Sequence, residues 1–170
     1  KMELNVLREL EKLTRTSFRV VSSISWGREY CTIKDNHVVG LSLCYGRFSS
    51  LPDFISQLSY LENLSINENY NLTSVPEFIS QLTALKELNL RSNGFKEIPE
   101  FISQLAGLTS LDLRYNKFLT LPESIGQLTA LKELYINKNQ LTILPDSIGQ
   151  LTSLTELNLE QNHLLILPDS

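Results

Sequence analysis

One phrase returns every 23 residues, and that period leaves the chain few architectures to choose from. The six prolines, Pro52, Pro76, Pro99, Pro122, Pro145 and Pro168, stand 24, 23, 23, 23 and 23 residues apart. Between them recurs a Leu-x-x-Leu-x-Leu-x-x-Asn core, then an apolar residue, Pro, an acid, Ile and Gln-Leu. A fixed period of this length marks a solenoid, in which each coil buries its apolar face only against its neighbours. The composition fits, because the 42% hydrophobic content falls in short beats and no run nears the length of a membrane span.

The stretch Leu131 to Pro145 shows how one coil is made. Leu131, Leu134 and Ile136 are apolar, with Glu133 and Tyr135 between them. That alternation predicts a short strand with one face inward. Asn139 follows where the chain must turn away from the strand. A buried turn leaves backbone groups without partners, and an amide side chain can both donate and accept. Asn69, Asn93, Asn116, Asn139 and Asn162 are therefore expected to stack as a ladder. It begins in the second coil, since Gly46 holds the place in the first.

Each Pro fixes φ, holds the preceding residue extended, and suits the first position of a short helical turn. The acids that follow, Asp53, Glu77, Glu100, Glu123, Asp146 and Asp169, meet the exposed amides of that turn. The extra residue at Tyr70 predicts a bulge after Asn69 that leaves the core unchanged.

These residues, from about Val38 to Ser170, resemble the leucine-rich repeat family. The 23-residue Leu-Pro-x-x-Ile form is similar to repeats of intracellular Ras-group scaffolds, Roco GTPases, and plant and prokaryotic proteins. The resemblance implies a curved, right-handed α/β solenoid. A parallel sheet would line its concave face, with short helical turns or coil on the convex face. The inner face of such proteins typically binds proteins.

Residues 1–37 do not repeat and read as an N-terminal cap, with repeats over 38–170, about six, the last incomplete. Leu4, Leu7, Leu10 and Leu13 predict an amphipathic helix. Phe18, Val20 and Val21 suggest one more packed segment. Trp26-Gly27, Tyr30 to Ile33, Asp35-Asn36 and Val38 to Leu43 predict a hairpin that feeds the first repeat strand. Trp26-Gly27 with Cys31 resembles the cap of plant receptor repeats, but that cap's paired cysteines are missing, so neither its disulfide nor its extracellular setting carries over. Lys1 before Met2 reads as a tag remnant. The stop at Ser170, partway through a coil, suggests a fragment, or a last coil covered by a partner or a second copy.

The candidate binding residues are those that vary while the core repeats. Three columns between and after the core leucines are expected to face solvent. They run Ser42, Ser65, Asn89, Asp112, Tyr135, Asn158; then Cys44, Asn67, Arg91, Arg114, Asn137, Glu160; then Tyr45, Glu68, Ser92, Tyr115, Lys138, Gln161. Arg91, Arg114, Tyr115, Tyr135 and Lys138 fall on adjacent coils, and Arg and Tyr are enriched at binding hot spots. With Asn89, Asp112 and Asn137 they form the predicted partner-binding patch, flanked by Glu87, Glu133 and Glu156. The competing expectation is a solvated face on which Arg114 pairs with Asp112. A second candidate patch is the column Phe54, Phe78 and Phe101, either an exposed apolar strip or rings folded into the outer core.

Catalysis has little support. His37 and His163, the only histidines, lie far apart in the stack and read as exposed turn residues. Cys44 is expected to face the groove with no base beside it. No phosphate-binding loop or metal-ligand spacing occurs, so neither cofactor nor metal is expected. A net charge of −4 disfavours nucleic acid. No membrane association is expected. Two cysteines without a disulfide framework suggest a reducing, cytoplasmic setting. Two functions remain open: a stand-alone protein-binding scaffold, or the recognition segment of a larger signalling enzyme such as a Roco-type GTPase or a ubiquitin ligase. Self-association through the last coil is a third. The close likeness of coils also leaves natural duplication and partial design undecided.

Overall fold

A computed structural model describes residues 2–15, 17–21, 30–46 and 48–168. Trp26-Gly27, Asp169 and Ser170 lie outside the described residues. One helix, α1 (Met2–Thr14), is followed by strands β1 (Arg19–Val20), β2 (Tyr30–Lys34) and β3 (His37–Ser42). Five three-residue strands then carry the repeats: β4 (Asn63–Ser65), β5 (Glu87–Asn89), β6 (Ser110–Asp112), β7 (Glu133–Tyr135) and β8 (Glu156–Asn158). All join one sheet in chain order. The β2–β3 pair is antiparallel, and every other pair is parallel.

The register is that of the repeat. Leu41, Leu64, Leu88, Leu111, Leu134 and Leu157 sit opposite one another across the sheet. All but Leu157 are buried, and Leu157 is 40% exposed because it lies on the last coil. The opposite wall is a second apolar column. Ile55, Ile79, Ile102 and Ile125 are fully buried and belong to the 3-10 helices Asp53–Gln57, Glu77–Gln81, Glu100–Gln104 and Glu123–Gln127. A fifth turn, Asp146–Gln150, repeats them. Strands on one side and wider turns on the other make a curved α/β solenoid, since paired strands stack only about 4.8 Å apart.

Proline acts one residue earlier than its spacing suggests. Pro76 has φ −65° and ψ 135°, an extended residue that caps the turn from outside. Its carbonyl accepts the Ile79 N–H at 3.2 Å, and the acid after it is the first helical residue. The extended ψ carries the chain from strand to turn, which a helical Pro could not do.

The asparagine ladder is present. The Asn116 amide donates to the Leu90 carbonyl of the preceding coil at 2.9 Å and to Leu113 of its own at 3.1 Å. Its side-chain oxygen accepts the N–H groups of Asn93 and Phe95. Asn139 and Asn162 repeat the double donation. The first rung is Asn69, donating to Leu43, as Gly46 requires. At the longer coil Tyr70 is 70% exposed while Leu72 stays buried, its N–H bonded to the Asn69 carbonyl. The bulge is therefore absorbed outside the core.

The N-terminal elements depart from expectation in detail. Helix α1 buries Val6, Leu7 and Leu10, whereas Leu4 and Leu13 are 51% and 57% exposed. A three-residue spacing drifts around a 3.6-residue helix, so the ends of the run rotate off the buried face. Glu3 fastens the helix by accepting the Val38 N–H at 2.7 Å. His37 is half-buried and not an exposed turn residue: its ring centre lies 3.7 Å from that of Tyr60, the planes tilted by 32°, and it faces Glu3. The predicted hairpin turns at Asp35 and Asn36, both at positive φ. Val20 pairs in β1 but stays 66% exposed, and Phe18 packs against the core.

Candidate functional site

The concave face is built from four columns that share the strand register. Asn63, Glu87, Ser110, Glu133 and Glu156 precede the central leucines, and Ser65, Asn89, Asp112, Tyr135 and Asn158 follow them. The backbone ladder continues beyond the strands. Leu90 N–H bonds to the Asp112 carbonyl, and Ser92 N–H to that of Arg114. To hold that ladder while turning toward the asparagine rung, one residue per coil adopts left-handed backbone. Tyr45, Glu68, Ser92, Tyr115, Lys138 and Gln161 all have φ between 55° and 61°. None is glycine, so each side chain is thrown outward at a cost of roughly 1–2 kcal/mol.

Most of the mid-strand column is covered rather than solvent-facing. Ser42, Ser65, Asn89 and Asp112 are buried, as are Asn67 and Asn137 of the next column. Adjacent coils stand so close that small side chains are covered by their neighbours. Their polar atoms also serve the backbone: the Asn89, Asp112 and Asn158 side chains accept the N–H two residues on, at 3.0, 3.1 and 3.1 Å. Asn89, Asp112 and Asn137 thus form a floor, while Arg91, Arg114, Tyr115, Tyr135 and Lys138 rise above it.

Those five make two tied groups side by side on one ridge. The Arg91 guanidinium lies 4.8 Å from the Tyr115 ring centre, and Lys138 Nζ donates to the Tyr115 hydroxyl at 2.6 Å. The hydrogen bond from Lys138 is the chief cause that lowers the Tyr115 pKa. On the neighbouring diagonal Arg114 lies 5.2 Å from the Tyr135 ring, and Tyr135 donates to Glu156 at 2.8 Å. Burial, then the bond to Glu156, pushes the Tyr135 hydroxyl up to about 12. Arg114 also forms a two-pronged pair with Asp112, at 2.9 and 2.6 Å. The expected pairing and the expected cluster therefore coexist, for the carboxylate holds the guanidinium where it flanks Tyr135.

The other lip is acidic. Glu87 and Glu133 precede the leucines of β5 and β7, with Ser110 between them donating to Glu133 at 2.9 Å. Burial raises the Glu87 carboxyl above its ordinary value, and Glu133 adds to the shift. Between the lips lies a partly open cleft, lined by Tyr30, Asn63, Ser65, Glu87, Asn89 and Asp112 among others. The variable columns do not reveal Tyr30, because it lies in the non-repeating segment where no register can be read.

One other expectation is corrected, and of the two open for the Phe column the rings folded into the outer core hold. Cys44 does not face the groove as an open thiol. It is buried, in contact with Ser42 and Asn67, and burial raises its pKa. The Phe column is no exposed strip either. Phe78 is buried, Phe54 and Phe101 pack against the core, and Ser124 and Ser147 at the same place are also buried. Among the described residues no cluster of three or more His, Cys, Asp or Glu could hold a metal. No described helix is long and apolar enough to cross a membrane.

Residues 67–164 match the family model described as a leucine-rich repeat region. A Leptospira interrogans leucine-rich repeat protein superposes with a TM-score of 0.71 at 39% identity, covering 75% of this chain and 32% of its own. The plant peptide hormone receptor RGFR1, solved in complex with RGF2, superposes at 0.61 with 34% identity, covering 67% of this chain and 19% of its own. The ectodomain of the receptor kinase SOBIR1 from Arabidopsis thaliana covers 100% of this chain and 97% of its own at a TM-score of 0.72, and at 24% identity it shows the fold alone. The chain thus spans about a third or less of the first two proteins. No curated protein matches it. The family model covers more than half of the sequence, over residues that include strands β5 to β8: the chain belongs to the leucine-rich repeat family.

Proposed function

We propose that the chain is a protein-binding scaffold that engages its partner through the concave face. The observation that carries this reading is the ridge of Arg91, Tyr115, Lys138, Arg114 and Tyr135. Its side chains stand above a buried floor and are held in place by mutual contacts before any partner arrives. Pre-organised aromatic and guanidinium groups lose little freedom on binding, which is what hot spots require. RGFR1, a relative by fold, was solved with RGF2 bound, which supports a recognition role for this architecture. We infer a reducing compartment as its setting, which the buried, unpaired Cys31 and Cys44 support.

The test is affinity capture from source-cell lysate. The intact chain is compared with the triple variant Arg91→Ala, Tyr115→Ala, Lys138→Ala and with a convex control, Gln127→Ala. The triple variant is expected to lose the captured protein and the control to retain it. Equal capture by all three would reject the concave face as the binding surface.

A further inference from the structure

We propose that the cleft beside Tyr30 receives a cationic side chain, lysine or arginine, from the protein that binds the concave face. This rests on the protein-binding reading above and adds the chemistry of one anchor.

Three polar groups of the cleft are unused. Asn63 Oδ1 is buried without a hydrogen-bond partner among the described residues. Tyr30 is only 5% exposed, lines the cleft, and its hydroxyl makes no hydrogen bond among the described residues. The Glu87 carboxylate has neither an ion pair nor a hydrogen bond among them. Other polar groups on the lining are committed. Asp112 holds Arg114, the Asn89 oxygen accepts the Arg91 N–H, Ser65 donates to Asn67 and Ser110 to Glu133.

All three unused groups can accept a hydrogen bond, and one carries a full negative charge. An anion would be repelled by Glu87 and Glu133. An apolar occupant would leave Asn63 and Glu87 desolvated and unpaired, which is costly. A metal ion lacks the ligand set, since no group of three His, Cys, Asp or Glu side chains is present among the described residues. An ammonium or guanidinium supplies only donors and the opposite charge, so it satisfies all three. The raised pKa of Glu87 is what burial near Glu133 without a counter-ion produces.

Continuity with the ridge favours a protein side chain over a free amine. Glu87 and Arg91 are four residues apart along one coil, roughly 13 Å in extended chain. A partner segment lying along β5 would set its cation at Glu87 and an acid or aromatic residue at Arg91.

The test is a titration of the isotopically labelled full chain, followed by NMR. The probes are acetyl-Ala-Arg-Ala-amide, its uncharged citrulline analogue, and methylguanidinium. The arginine peptide is expected to shift the Asn63 side-chain amide and the Glu87 signals saturably, and the citrulline peptide to leave them still. Glu87→Gln should weaken the peptide about tenfold or more, and Asn63→Asp should tighten it. Equal shifts from citrulline, shifts elsewhere only, no shift at tens of millimolar peptide, or undiminished binding by Glu87→Gln would each overturn the proposal. Methylguanidinium binding as tightly as the peptide would overturn the assignment to a protein side chain. If Glu87→Gln captures the lysate partner unimpaired while the Arg91, Tyr115, Lys138 variant does not, the cleft fails and the protein-binding face stands.

Discussion

The guanidinium of Arg114 closes on the carboxylate of Asp112 two residues earlier, with contacts of 2.9 and 2.6 Å, while its backbone N–H bonds to the same carboxylate. Asp112 is only 5% exposed, so the pair joins the floor of the concave face to the ridge above it. It couples stability to recognition at Arg114 in a way the order of residues does not show.

Arg114→Ala is therefore expected to destabilise the fold by about 1–3 kcal/mol, because it strands a buried carboxylate. Replacing both partners, Asp112→Asn with Arg114→Gln, should recover most of that loss. Urea unfolding measures both. Replacing Arg91, Arg114 and Tyr135 together would confound binding with stability for this reason. An Arg114→Ala midpoint equal to that of the intact chain would show that the pair is a surface ornament.

The ladder gives a second outcome. Asn116→Ala removes the bonds donated to the Leu90, Leu113 and Arg114 carbonyls and an acceptor for two backbone N–H groups, and should cost on the order of 1–3 kcal/mol with partner choice unchanged. Asn116→Asp should be worse, since it keeps the acceptor, loses the donors and buries a charge. Thermal melts of the two variants rank them directly.

The left-handed column gives a third. Ser92 has φ 56° and faces the strain that only glycine avoids. Ser92→Gly should be neutral to stabilising, by up to about 1 kcal/mol after the loss of unfolded-state restriction, and Ser92→Val should destabilise by about 1–2 kcal/mol. A midpoint for the valine variant above that of the glycine variant would contradict the assigned backbone.

Titration gives a fourth. Burial and Glu133 raise the Glu87 carboxyl above the 4.5 of an ordinary glutamate, so folding favours its protonated form. Its contribution is fully present below the unfolded pKa and is lost as pH rises through the folded one. Glu87→Gln should therefore gain stability relative to the intact chain at pH 7 and little at pH 4. At the alkaline end burial lifts the Tyr30 hydroxyl from 10.0 to about 12. Stability should thus fall as pH climbs from about 10 toward 12, and Tyr30→Phe should flatten that fall.

Why some of this was legible is a matter of what packing dictates. Leu88, Leu111 and Leu134 repeat because each fills the same place in a stack, and the Asn rungs repeat because each coil has the same carbonyls to satisfy. The left-handed column was illegible because Tyr45, Glu68, Ser92, Tyr115, Lys138 and Gln161 share a backbone and no side-chain chemistry. From sequence the floor reads as solvent-facing, because polarity alone does not tell a covered Asn89 from an exposed one; the close spacing of neighbouring coils does. Phe78 was ambiguous for the converse reason, since buried Ser124 shows that one outer-core place accepts either size.

The most direct measurement of the central claim is photo-crosslinking in source cells, with a photoreactive amino acid placed at Tyr115 on the ridge or at Gln127 on the convex turn. Both positions are exposed, so access does not distinguish them. The account predicts a discrete cross-linked protein from Tyr115 and none from Gln127. A partner trapped from Gln127 and not from Tyr115 would contradict it.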